Sequence, residues 1–213
     1  MKKVKSISSI IILLCAGIFA KQSSAQSVAD IFLGETEITW LGVDYSGMKF
    51  IGPLDVSATQ LDDYAKTWND LYLREPKKYN LTAAFNKQNI PSNLSYIEKV
   101  NADMNTDKVI SSDSKDMTRF TKETIAETVK NYKIKGSGIG LVFITEALSK
   151  NDEMGSYWVT FIDMKTSSVL LTERVTGKAA GFGFRNYWAG SFYATLKDIK
   201  GKLYNSWKKK YSK

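Results

Sequence analysis

The chain contains no histidine in its 213 residues. That absence removes Ser–His–Asp and Cys–His nucleophilic catalysis, most zinc sites, and the commonest general base near neutral pH. Cysteine is nearly absent too: Cys15 is the one cysteine, and it lies within an N-terminal apolar stretch. If that stretch is removed, neither disulfides nor thiolate chemistry remains. Long apolar runs are missing apart from Ile10–Ala20, which is too short to span a membrane as a permanent helix. There is no internal repeat, no low-complexity linker and no break in composition that would divide the chain into domains.

The first 25 residues have the order of an export signal. Lys2, Lys3 and Lys5 precede the apolar run, and Ser23-Ser24-Ala25 supplies small residues for cleavage before Gln26. The expectation is an exported protein, periplasmic or extracellular, whose mature chain is residues 26–213. A lipoprotein signal using Cys15 is disfavoured, because Leu14 occupies a position that needs a small residue. Cleavage removes four lysines and no acid, which halves the formal net charge of +8. The remaining positive charge is concentrated near the C-terminus and is weak evidence for a nucleic-acid partner, so none is expected.

The C-terminal third carries the clearest pattern. Ile139–Leu148, Ser156–Asp163 and Val169–Thr176 read as strands, the first apolar on both faces and the last two joined by a polar hairpin. A helix is predicted from Tyr187 to Tyr211, with Asn186 as its N-cap. Trp188, Phe192, Leu196, Ile199, Leu203 and Trp207 recur at steps of three and four and define its buried stripe. Tyr187, Tyr193 and Tyr204 fall on its surface or boundary. Upstream, the pattern predicts a strand or strand pair within Ser27–Pro53. A helix capped by Ser57 or Thr59 runs to Arg74, and a short helix lies within Lys77–Asn86. A strand is expected over Leu94–Val100 and a helix over Met117–Tyr132. The fold class is α/β (α+β): one domain, a mixed sheet, and a C-terminal strand hairpin covered by a long amphipathic helix.

Three segments, Trp40-Leu41-Gly42-Val43-Asp44-Tyr45-Ser46, Lys77-Lys78-Tyr79-Asn80-Leu81 and Gly181-Phe182-Gly183-Phe184-Arg185-Asn186-Tyr187-Trp188, carry a resemblance to known proteins. Together they resemble a group of small exported Bacteroidetes proteins with no assigned function. More distantly the chain resembles the α/β domain shared by CsgG, the N-terminal domain of TolB, and LpoB. The resemblance implies an envelope interaction domain that binds an envelope protein or polymer. It supplies no residue roles, and the chain departs from CsgG in lacking a lipidation cysteine and pore-forming hairpins.

The candidate binding site is Gly181, Phe182, Gly183, Phe184, Arg185 and Asn186. One reading is a tight turn whose glycines let Phe182 and Phe184 tuck against the sheet. The other is an anion site, in which free N–H groups at the helix start act together with Arg185. The alternative function is a carboxylate-dependent hydrolase. Glu35 with Glu37, Asp62 with Asp63 and Asp152 with Glu153 are the available pairs. Their positions read more simply as a solvated strand edge, a helix start and a hairpin loop. No metal site and no cofactor is expected. The basic end of the last helix, with Lys202 and Lys208–Lys210 beside Tyr204, Trp207 and Tyr211, gives no stable membrane insertion if Trp207 is in the core.

Overall fold

A computed structural model describes residues 26–212; the export-signal reading falls on residues outside this range. The strands are β1 (Ile38–Asp44), β2 (Lys49–Ile51), β3 (Ile110–Ser111), β4 (Ile139–Ser149), β5 (Met154–Asp163) and β6 (Ser168–Lys178). They form one mixed α/β sheet around β4, whose eleven residues are all buried. The meander β4–β5–β6 is antiparallel. On the other side of β4, β1 pairs parallel with its first half and β2 parallel with its last residues, and β3 adds parallel to β2. Thus Asp44–Met48 is a jog and not a hairpin. The chain leaves the edge of β4 at Asp44, and the Asp44 carboxylate accepts from the Ser46 N–H at 2.7 Å. It rejoins the same edge at Lys49.

The helices are α1 (Ala58–Arg74), α2 (Leu81–Ala84), α3 (Ser95–Ala102), α4 (Lys122–Asn131), α5 (Gly183–Asp198) and α6 (Tyr204–Tyr211), with a π-turn at Ile199–Leu203 linking the last two. Ser57 and Gln60 make a reciprocal capping box on α1, and Asn80 and Thr121 cap α2 and α4. One face of the sheet presents Phe143, Tyr157, Val159 and Phe161 to α1, α5 and α6. At its centre the Phe192 ring meets Phe143 edge-on at 5.0 Å and Tyr72 at 4.3 Å. The other face presents Val142, Ile144, Trp158 and Ile162 to Ile97 of α3 and to Ile125 and Val129 of α4. Two covered faces explain why β4 reads as a continuous apolar run.

The outer edge of β1 is closed by side chains and by a crossing loop. Asn69 accepts the Val43 N–H at 2.7 Å and donates to the Val43 carbonyl at 2.9 Å. Asn101 donates to the same carbonyl at 3.0 Å and accepts the Tyr45 N–H at 2.8 Å. Trp40 exchanges backbone bonds with Pro91 and Asn93. Two buried amides and a loop therefore satisfy the polar groups that a neighbouring strand would otherwise take.

Two expectations are overturned here. Leu94–Val100 is not a strand: the Asn93 side chain accepts from Ser95 at the helix start, and Ile97 and Asn101 are buried one turn apart on α3. The closing helix runs from Gly183 to Tyr211 without a break, as expected, but its period is not uniform. The π-turn inserts a residue, so Tyr204 takes the buried position expected of Leu203, which is only half-buried, while Trp207 is buried as expected. Tyr204 is therefore a core residue, against Phe32 at 5.5 Å and Phe85 at 6.1 Å.

Candidate functional site

The passage from β6 into α5 is held from three sides. The Ala180 N–H donates to the Tyr187 carbonyl at 3.2 Å. Gly190 permits that approach, because a Cβ there would stand 1.9 Å from the Ala180 oxygen. The indole N–H of the fully buried Trp68 donates to the Arg185 carbonyl at 2.9 Å, tying α1 to the first turn of α5. Phe184 stacks on Tyr64 at 5.2 Å and on Phe50 at 5.9 Å. Gly181 turns the chain at φ +144°, where a Cβ would meet the Asn186 carbonyl at 2.6 Å.

On this fixed frame Phe182 is 94 % exposed. The expectation that both phenylalanines tuck against the sheet is correct for Phe184 and wrong for Phe182. Asn186 is not the N-cap. The left-handed glycines start α5 at Gly183, which makes Phe182 the cap residue, without a side-chain bond, and places Asn186 inside the first turn. There the Asn186 amide oxygen accepts from Arg185 Nε at 3.3 Å.

A groove lies on each side of the loop. The larger, about 730 Å³, brings Lys78, Lys178, Arg185 and Lys197 around Phe182 and Tyr193, with Glu75 as its one carboxylate. Only Lys78 of the four cations has a carboxylate in ion-pair range, Glu75 at 3.7 Å, among the described residues. Lys197 lies 5.8 Å from the Tyr193 ring centre, a cation–π contact that leaves its charge uncompensated. Burial pushes the nearby Tyr79 phenol up, Lys78 and Arg185 pull it down, and Glu75 works with the burial. The smaller groove, about 410 Å³, is lined by Asp55, Lys150, Phe184 and Tyr187. Lys150 closes its rim by reaching Asp55 at 3.7 Å and the Tyr187 ring at 4.7 Å. Comparison with protein-family models, with curated proteins and with solved structures returns no match to this chain.

The carboxylate pairs occupy ordinary surface positions. Glu35 and Glu37 are exposed on the approach to β1 beside a groove of about 460 Å³. Asp62 is paired with Lys66 one helical turn away at 2.5 Å. Asp152 closes the β4–β5 turn by accepting from Ser149 Oγ at 2.7 Å, and Glu153 is exposed.

The chain's most enclosed acid was not singled out from the sequence. Glu146 is fully buried at a bulge in β4, opposite the jog between β1 and β2. Its carboxylate accepts the Phe120 N–H, Ser156 Oγ at 3.0 Å and Trp158 Nε1 at 3.1 Å, and Arg174 lies 3.9 Å away. These donors hold the carboxylate and pin the segment before α4 to the sheet. The signal was available: Thr145-Glu146 interrupts an otherwise apolar strand.

Among the described residues no group of three or more acidic, histidine or cysteine side chains is arranged to hold a metal. No helix among them is long and apolar enough to cross a membrane.

Proposed function

We propose that this is an exported protein of the cell envelope that acts by binding, with the β6–α5 loop as its contact site. The observation that carries the reading is Phe182, an aromatic side chain that is 94 % exposed on a backbone fixed by Gly181, Trp68 and Phe184. A large apolar side chain on a fixed backbone brings a large contact area without the cost of ordering its loop on association, the properties of an interface anchor. The four cations of the adjoining groove favour a partner with negative charge. A carboxylate hydrolase needs two facing acids in a cleft. The large groove offers one, Glu75, already paired with Lys78.

The test is photocrosslinking in the native cell from a photoreactive side chain at position 182, with Lys165 and Lys115 as control positions. A discrete product from position 182, absent from the controls, supports the reading. Equal labelling from all three positions would refute it.

A further inference from the structure

The two edges of the sheet differ. The β1 edge is sealed by Asn69, Asn101 and the loop at Pro91–Asn93, and the β3 edge is only two residues long. At the opposite edge, β6 runs for eleven residues and pairs only with β5. Among the described residues its outer backbone groups make no hydrogen bond. A bulge at Leu170 disturbs its start, but Leu171–Lys178 keeps regular register. Such an edge is a template for one more strand.

The side chains along this edge narrow the occupant. Arg174, Thr176 and Lys178 alternate onto one face of β6 and are exposed; Arg174 also reaches inward to Glu146 at 3.9 Å, which leaves Lys178 as the cation with no carboxylate in ion-pair range among the described residues. The strand's one acid, Glu173, points to the other face, where Lys210 and Tyr211 hold it. A second copy pairing through β6 would bring no acid to the face of Arg174 and Lys178. Opposite-charge pairs across a ladder are favourable and like charges unfavourable. Lys178 also belongs to the large groove, so the edge leads directly to Phe182.

We propose that the outer edge of β6 receives an extended acidic peptide segment of a partner protein as a seventh strand. Its carboxylates, on alternate residues, stand opposite Arg174 and Lys178, and its continuation enters the groove beside Phe182. This rests on the reading of the β6–α5 loop as a contact site.

The test uses the purified protein and a dye-labelled short peptide alternating valine with aspartate. Binding is read by anisotropy and by amide hydrogen exchange. The peptide should bind, slow exchange at alternate amides of Leu171–Lys178, and bind about tenfold or more weakly to Lys178→Glu. Methylating alternate peptide amides should weaken binding by about tenfold in one parity and leave it intact in the other, since one parity donates to β6. Equal binding of both methylated peptides means capture by charge alone, and the strand proposal fails while the loop reading stands. No binding of the peptide, alongside a discrete crosslink from position 182, likewise refutes strand addition and keeps the loop site. Absence of both removes the two readings together. Concentration-dependent dimerisation that protects β6 amides without peptide would assign the edge to a second copy and overturn the proposal.

Discussion

Trp68 and Arg185 are 117 positions apart in the chain, yet the Trp68 indole N–H donates to the Arg185 backbone carbonyl at 2.9 Å. The bond fixes the start of α5 against α1 and so fixes the direction in which Phe182 projects. Trp68→Phe keeps most of the buried ring and deletes the donor. The expected cost is on the order of 1 kcal/mol or somewhat more, measured by denaturant titration. The crosslink from position 182 should weaken as well. An unchanged midpoint would show that this bond does not hold the loop.

Asn69 and Asn101 act as strand substitutes along β1. Removing either amide leaves a buried backbone group of Val43 or Tyr45 without its partner. Asn69→Ala and Asn101→Ala should each cost about 1–3 kcal/mol. Lys115→Ala, on an exposed position, should stay within about 0.5 kcal/mol. Equal effects at all three positions would contradict the edge-sealing role.

Much of the sheet was legible in the sequence, and particular residues show why. Tyr157–Ile162 alternates, and the polar Asp163–Ser168 turn reverses the chain, so the hairpin needed only local information. The capping box at Ser57 and Gln60 was local too. Leu94–Val100 failed because Val100 and Ile97 suit a strand by propensity, while the outcome depended on Asn101 reaching Tyr45 across the fold. Tyr204 failed because a π-turn changes the helical period that stripe-reading assumes. At the candidate loop, the glycines and Arg185 were visible as a unit. The separation of Phe184 inward from Phe182 outward depended on α1 packing against Phe184, which no spacing rule encodes.

Glu146 should behave as a structural hub. Glu146→Ala would leave the Phe120 N–H, Ser156 Oγ and Trp158 Nε1 unpaired beneath α4. A loss on the order of 3 kcal/mol or more is expected in equilibrium unfolding. A loss below about 1 kcal/mol would mean that water replaces the carboxylate, and Glu146 would then no longer account for how the segment before α4 is held.

Alkaline pH should unfold the protein through its buried phenols. Burial, more than any neighbour, holds Tyr45, Tyr72 and Tyr132 well above the ordinary tyrosine value. The folded state keeps these protons, whereas the unfolded chain releases them near pH 10. Stability from this source is therefore complete below about pH 10 and declines as pH rises beyond it. Ultraviolet titration should show these phenols ionising together with the loss of circular dichroism. Smooth ionisation of every tyrosine in a folded protein would contradict the burial.

The closest test of the binding site is the yield of crosslinked product from a photoreactive side chain at Ala194, in the wall of the large groove, with Phe182 present or replaced by alanine. Because Phe182 is 94 % exposed, Phe182→Ala should leave the unfolding midpoint unchanged. The yield should nevertheless fall by about tenfold or more, as expected on removing an interface anchor. An undiminished yield from the Phe182→Ala protein would contradict the assignment of this loop as the contact site.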